Sequence, residues 1–263
     1  MADSTLPGSP FAGTIDFHDG APIRPIAPEE LARTLQAHEL YVESKQRSGK
    51  RANLDSTDLA EKSFAGMELW HIRMQRAHLA GADFTGTNLR RAILIGATMQ
   101  RGRLAAADLT RARLNGINLT DAHCQGVCMA EADIEFAIMA NSDFRNGNFL
   151  DADMSGAILD GADLSGADLR RANLRGASFL HTRLHGADLR GARMGRAILK
   201  HASFTDADLR GAFLHMATFH HTDLSGADLR ESEGLTTVQI MHTIHDAHTR
   251  LPLEVTTEPK NGD

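Results

Sequence analysis

The sequence predicts an all-β solenoid, in which the chain winds into stacked coils, and two periodicities carry this prediction. Apolar residues recur at every fifth position from Leu54 to Leu229, and all 36 positions of this series are apolar. A longer period is seen in the string Ala-Asp-Leu-Arg, which begins at 167, 187, 207 and 227. Because aromatic residues make up only 5% of a chain that is 42% hydrophobic, the core is expected to be aliphatic.

The five-residue period excludes a long helix and fits short extended segments. On an α-helix each step of five residues advances by about 140° net, which would spread the apolar side chains around the whole circumference. The residue two positions before each apolar one is small in 31 of the 36 units. In an extended segment, side chains alternate between the two sides, so the apolar and the small residue both point inward and the residue between them points outward. The remaining two residues, often including glycine, are suited to turning a corner.

The twenty-residue period sets the number of sides in each coil. Twenty residues make four sides of five, so residues 52–231 form nine coils of a four-sided solenoid. With coils about 4.8 Å apart, the rod is roughly 43 Å long.

These units resemble the pentapeptide-repeat family, whose pattern is Ala-(Asp/Asn)-Leu-x-x. Ala-Asp-Leu-Ser-Gly at 162–166 and Ala-Asn-Leu-Arg-Gly at 172–176 match it. The resemblance covers about two thirds of the chain and implies a right-handed quadrilateral β-helix. It implies little about function, because the family includes topoisomerase-protecting proteins, bacterial effectors and members without known activity.

The N-terminal end is predicted to carry a capping helix. Residues 1–26 are rich in Pro, Gly, Ser and Asp and are expected to be disordered, although Phe11, Ile15 and Phe17 offer an alternative as a strand on the first coil. Pro28, followed by two glutamates, starts a helix over about 27–48. Residues 27–51 are therefore interpreted as a helix and linker that cover the first coil.

The C-terminal end is predicted to carry a second helix. The five-residue phase stops at Gly234, and Leu235–Leu251 is expected to be helical, with Thr236 or Thr237 as its cap and Pro252 beyond it. Residues 232–263 are thus a C-terminal helix and a polar tail.

Composition argues against several functional classes. With 28 basic and 34 acidic residues the formal charge is −6, which does not suit a general binder of nucleic acid. Two cysteines, the absence of a secretory signal and the absence of a long apolar run predict a cytoplasmic protein with no membrane contact. No nucleophile elbow, phosphate-binding loop or zinc-protease motif occurs, so no enzymatic activity and no cofactor are expected.

Histidines are concentrated near the C-terminal end. His181, His201 and His221 are predicted to stack along one edge about 4.8 Å apart, and His242, His245 and His248 to share one face of the terminal helix. Parallel rings converge poorly on a metal ion, so a solvated ladder is favoured and no metal is expected. A metal or pH-sensitive site is the alternative.

Outward apolar residues are the clearest departure from the repeat. Ile138, Ile158 and Ile198 occupy outward middle positions of one face, where Asp or Asn is usual, and Leu180 is nearby. Four further large apolar side chains are predicted to point outward: Trp70, Phe136, Phe213 and Met216. An acidic belt in the same coils is expected to rim this stripe: Asp151, Asp153, Asp160 and Asp163. A buried apolar centre with a polar rim is typical of a protein interface.

These features predict a non-enzymatic interaction scaffold that binds a protein partner or a second copy of the chain as a homodimer. The alternative is topoisomerase protection by DNA mimicry, as the resemblance to quinolone-resistance proteins implies. The net charge of the solenoid argues against DNA mimicry. Residues 52–231 hold 22 acidic and 20 basic residues, whereas a DNA duplex of the same length carries about 25 negatively charged phosphates. Nucleic-acid binding through Arg170, Arg190, Arg210 and Arg230 is a third reading, weakened by an Asp two positions before each Arg.

Overall fold

The computed structural model describes residues 22–255, and residues 53–233 in it form a regular solenoid. Parallel β-bridges join residues twenty apart, from Asn53 with Arg73 to Phe213 with Glu233. Each side of a coil contributes one bridged residue and is followed by a two-residue turn, so the extended segments are single bridges rather than longer strands. Four such sides complete each twenty-residue step.

The backbone of each coil is hydrogen-bonded to the next. Leu54 N donates to Arg73 O at 2.8 Å, and Arg73 N donates back to Ala52 O at 3.2 Å. This pairing satisfies the donors and acceptors that flank every bridge, which is why a chain with so few helical residues folds without exposed strand edges along its length.

The core consists of the five-residue apolar series. All 36 of its side chains are at most 3% exposed, from Leu54 to Leu229. Their side chains stack along the rod axis, as the rings of Phe64 and Phe84 do, with their centroids 4.7 Å apart. The small residues two positions earlier are buried beside them, whereas Lys62 and Met67, which replace small residues in the first coil, are exposed.

The outward middle residue has a structural role that explains why it is so often Asp or Asn. Its side-chain oxygen accepts a hydrogen bond from the backbone N–H two residues later, as in Asp143 Oδ1 with Arg145 N at 3.1 Å and Asn118 Oδ1 with Thr120 N at 3.0 Å. A short acceptor at this position therefore holds the corner that follows it.

Helix α1, Pro28–Glu43, packs on the first coil. His38 is fully buried and its Nδ1 accepts a hydrogen bond from Ala52 N at 3.1 Å. Leu31 and Leu35 pack against the core. The segment before α1 differs from the expectation of disorder, because Arg24 forms a parallel bridge with Thr57. Phe11, Ile15 and Phe17 lie outside the described residues.

The predicted C-terminal helix is wrong over most of its length. Helix α2 spans only Thr237–Ile240, with a capping box between Thr236 and Gln239. The chain then turns back onto the solenoid, where Ile244 bridges Asp223 and Arg250 bridges Asp228. The helix stops because these two bridges pair with the last coil, which outweighs local helix propensity.

Candidate functional site: an apolar stripe on one face

The solenoid has four faces, each named here after its first outward middle residue: the Asn53, Asp58, Ser63 and Glu68 faces. The column of outward residues on the Asp58 face changes character along the rod. From the first coil to the last it consists of Asp58, His78, Thr98, Asn118, Ile138, Ile158, Ser178, Ile198 and Thr218. We call Ile138, Ile158 and Ile198 the isoleucine stripe.

The structure brings the stripe together as the sequence predicts. Ile138 and Ile158 are directly bridged, with Met139 N donating to Ile158 O at 2.7 Å, and Ser178 separates Ile158 from Ile198. All three isoleucines are half-buried. Because isoleucine has no acceptor atom, none of the three supplies the corner hydrogen bond that Asp and Asn make at this position.

Phe136 enlarges the stripe at one edge of the face. Its side chain is 44% exposed, and its ring lies over the backbone of Gly156 one coil later, where a Cβ atom on residue 156 would come within 2.7 Å of Phe136 Cδ1. Gly156 has a φ of +66°, which also favours glycine. An aromatic ring therefore extends the apolar surface beside Ile138 and Ile158.

Leu180 and Asp160 form the opposite edge of the face. Leu180 is half-buried, and its backbone N donates to Asp160 Oδ1 at 3.1 Å. The same carboxylate oxygen accepts a hydrogen bond from Ser178 Oγ at 2.5 Å. Asp160 is thus a polar boundary next to the stripe.

The other members of the expected acidic belt lie on other faces or edges. Asp153 belongs to the Asn53 face and Asp163 to the Ser63 face, while Asp151 is at the edge between the Glu68 and Asn53 faces. Arg171 binds Asp151 through two hydrogen bonds and lowers the pKa of its carboxyl group. Arg183 pairs with Asp163 at 3.1 Å. The belt is therefore not a continuous rim, and local sequence reasoning missed pairings between residues twenty apart.

The Glu68 face is electrically compensated. Asp168, Asp188, Asp208 and Asp228 form a column, and the Arg two residues after each binds it at 2.6 Å. Contacts between coils continue the network, as between Arg190 Nε and Asp208 Oδ2 at 3.7 Å. The hydrogen bond from Arg210 lowers the pKa of Asp208. Each of these four aspartates is therefore paired with an arginine.

The predicted histidine ladder is present. The rings of His181 and His201 stack at 4.9 Å, and those of His201 and His221 at 5.2 Å. His220 stacks on His221 at 4.5 Å and also contacts His242. His242, His245 and His248 do not share a helix face, because α2 ends at Ile240. Within residues 22–255, no group of three or more His, Cys, Asp or Glu side chains is arranged to hold a metal ion.

The two cysteines lie in different environments. Cys124 is fully buried in the core, and burial raises the pKa of its thiol. Cys128 is half-buried on the Glu68 face, with its Sγ 3.3 Å from Thr110 Oγ1. Both are free thiols.

The repeats of this chain match a known protein-family model. The model of pentapeptide repeats matches in eight copies, which together cover more than half of the chain. The matched segments are residues 72–109, 103–135, 130–161, 137–176, 157–196 and 197–232. The chain belongs to the pentapeptide-repeat family. Membership implies a right-handed β-helix.

Several solved pentapeptide-repeat proteins are similar to this chain. HetL, a protein involved in heterocyst differentiation regulation from the cyanobacterium Nostoc sp. strain PCC 7120, is 21% identical over 86% of this chain and 94% of its own, with a TM-score of 0.32. Full-length QnrB1, a plasmid-mediated fluoroquinolone resistance protein, is 20% identical over 73% and 92%, also with a TM-score of 0.32. Rfr23 from Cyanothece 51142 is 26% identical over 45% and 63%, with a TM-score of 0.26.

No curated protein matches the chain. Across residues 22–255, neither helix has the length and apolar character needed to cross a membrane.

Proposed function

We propose that this pentapeptide-repeat protein is a non-enzymatic scaffold that binds a protein partner through the Asp58 face. The observation that carries the proposal is the isoleucine stripe. Ile138, Ile158 and Ile198 replace a residue type that holds the following corner, so this column gives up three corner hydrogen bonds. An apolar patch at the surface, such as Ile138 and Ile158 beside the exposed Phe136, is a common mark of an interaction site.

The surroundings of the stripe support a protein interface. Phe136 and Leu180 widen the apolar centre, and the Asp160 carboxylate lies at its border. Apolar and aromatic side chains at the centre with polar groups outside them are the usual composition of protein contacts. The solenoid holds these groups on one rigid surface, which lowers the entropy lost on binding.

DNA mimicry is less well supported. A mimic needs unpaired carboxylates spaced like phosphates, but Asp168, Asp188, Asp208 and Asp228 each bind an arginine. The same pairs weaken the proposal of nucleic-acid binding through Arg170, Arg190, Arg210 and Arg230. On the Glu68 face, the charges that both alternatives would use are compensated by these ion pairs.

The proposal is tested with two variants that add the same charge to different faces. Ile138→Asp with Ile158→Asp places two carboxylates in the stripe, and the matched control is Cys128→Asp with Asn148→Asp, at bridged outward positions of the Glu68 face. Each tagged protein is used to capture partners from a lysate of the source cells, and sedimentation velocity gives its oligomeric state. We expect the stripe variant to lose the partner, or the second copy, that the wild-type protein and the control retain.

Thermal unfolding of both variants accompanies the capture. Equal melting temperatures show that lost binding is not the result of unfolding. Retention of every wild-type partner by the stripe variant contradicts the assignment of the Asp58 face. An effect of the wild-type protein on gyrase supercoiling that the stripe variant keeps points instead to topoisomerase protection through a surface other than the stripe.

A further inference from the structure

A second candidate binding surface lies at the edge between the Asn53 and Asp58 faces, near the C-terminal end of the isoleucine stripe. It is an open groove of about 450 Å³. Its lining consists of Arg175, Arg193, Gly195, Arg196, Phe213, His215 and Met216. We call it the arginine groove.

The groove exists because Gly195 has no side chain. In the column of first corner residues, Arg175 precedes Gly195 by one coil and His215 follows it. Gly195 does not have the positive φ found at many other glycines, so the backbone does not require glycine there. A Cβ atom at 195 would meet only His215 O, at an ordinary distance of 3.6 Å. Glycine at this position leaves space rather than enabling a turn.

The arginines around this space have no carboxylate in direct contact, although the charge of Arg193 helps to lower the pKa of Asp151. Within residues 22–255, Arg175, Arg193 and Arg196 form no ion pair or side-chain hydrogen bond with a carboxylate. In the same coils Arg171 and Arg190 each bind an aspartate at 2.6 Å. Three guanidinium groups without carboxylate partners therefore converge on one depression, where a bidentate carboxylate is their natural complement.

The groove also has an apolar wall. Phe213 is 39% exposed and Met216 is 70% exposed. Methionine, aromatic residues and arginine are the types enriched at protein interfaces, and Arg and aromatic residues often dominate their binding energy. A small inorganic anion would make no contact with the apolar side chains of Phe213 and Met216. Nucleic acid would need a longer cationic track and more than one aromatic side chain for stacking.

We propose that the arginine groove binds an acidic peptide segment in which Asp or Glu residues flank a large apolar side chain. The inference rests on the proposed scaffold function and specifies the chemistry of the partner. Arg196 is only two residues from Ile198, so a partner that lies along the stripe extends over the edge into the groove. The carboxylates bind the guanidinium groups, and the apolar side chain packs between Phe213 and Met216.

The test uses dye-labelled peptides and fluorescence anisotropy on the full chain. The probe has the core Glu-Glu-Leu-Glu-Glu, and its controls replace Glu by Gln or Leu by Ala. We expect the Gln peptide to bind at least tenfold more weakly than the probe and the Ala peptide several-fold more weakly. A phosphoserine peptide that binds while the Glu probe does not overturns the assignment of a carboxylate ligand.

Variants of the chain locate the binding site. Gly195→Gln fills the groove with a side chain that Gln75 already carries in the same column, whereas Gly195→Ala leaves the groove open. Arg193→Gln with Arg196→Gln removes two charges, and Arg113→Gln, four coils earlier on the Asn53 face, is the matched control. We expect Gly195→Gln and the double variant to lose at least tenfold in affinity, and the two controls to change by less than twofold.

The outcomes separate this inference from the proposed function. Unchanged peptide affinity in both groove variants overturns the groove while leaving the isoleucine stripe to be judged by its own variants. Loss of the captured partner in Ile138→Asp with Ile158→Asp, together with its retention in Arg193→Gln with Arg196→Gln, supports the scaffold function and contradicts the groove as part of that contact.

Discussion

At the scale of single residues, the outward middle position shows how stability and function diverge. Asn118 and Asp143 hold their corners with a side-chain acceptor, and Ile158 does not. We expect Ile158→Asn to leave the melting temperature unchanged or higher, because a corner hydrogen bond worth about 0.5–1.5 kcal/mol offsets the lost apolar contact with Ile138. The same variant should bind the partner more weakly. A lower melting temperature would mean that the isoleucine stabilises the rod.

Inward and outward positions can be compared with one type of substitution. Leu164 is 0% exposed, whereas Ile158 is half-buried and points away from the core. Leu164→Asp buries an unpaired charge, so we expect it to lower the free energy of unfolding by more than about 3 kcal/mol. Ile158→Asp should change it by less than about 1 kcal/mol. Urea unfolding measures both, and equal losses would contradict the inward assignment of Leu164.

The sequence predicts those features of a residue that depend only on its position in the five-residue unit. Whether a side chain points inward follows from its place in the five-residue unit, and this holds for Leu164 and Ile158 alike. The partner of a charged side chain does not follow in this way. Asp151 binds Arg171 and Asp163 binds Arg183, twenty residues away, and only the stacked coils show which of several nearby charges is in reach.

At the scale of elements, the C-terminal segment shows where local signals stop being sufficient. The helix start at Thr236 is encoded locally, because Gln239 completes a capping box three residues later. The end of α2 is set by tertiary pairing. Ile244 N donates to Thr222 O at 2.8 Å and Arg250 N to Ala227 O at 2.9 Å, which continues the pairing of the last coil. The three-residue spacing of His242, His245 and His248 suggests a helix, but it does not reveal that this segment pairs with the last coil instead.

We expect the histidine ladder to add a small pH dependence to stability, because its rings are exposed to solvent. Desolvation by neighbouring groups, followed by the charges of His181 and His221, lowers the pKa of the exposed His201, and desolvation with the charge of His221 lowers that of His220. The unfolded chain then binds more protons than the folded one just below the ordinary pKa of 6.5. The ladder costs no stability above that pH, and its destabilising effect builds up as the pH falls from 6.5 to the lowered values. We therefore expect the melting temperature to fall between pH 7.5 and about 5.

A single substitution separates the ladder from other groups. His201→Asn removes the central ring, and asparagine tolerates the left-handed φ of +58° at this corner. We expect this variant to show a smaller loss of melting temperature over the same pH range than the wild-type protein. His123→Asn, on the Ser63 face, is the control. The aspartates whose pKa is lowered by arginine, such as Asp208, act in a different window, because their stabilisation is lost only below about pH 4. An identical pH profile for His201→Asn and wild-type protein would contradict the role of the ladder.

At the scale of the whole molecule, one repeating unit produces four chemically different faces. The core is uniform along the rod, so function depends on outward positions, which the fold leaves free to vary. The Glu68 face uses this freedom for compensated ion pairs, and the Asp58 face uses it for the isoleucine stripe. The sequence predicts the stripe because its members share a twenty-residue phase. It does not predict the arginine groove, which requires a missing side chain and three cations, from neighbouring coils, that lack carboxylate partners.

The most direct test of the account is site-specific photo-crosslinking in the source cells. A photo-crosslinking amino acid is placed at Ile158 in the stripe, at Asn148 on the Glu68 face, or at Val238 in α2, which is 68% exposed. If the Asp58 face is the principal contact, the residue at 158 forms a covalent adduct with the partner or with a second copy of the chain, and the residues at 148 and 238 do not. Adducts from 148 or 238 without one from 158 would contradict the account.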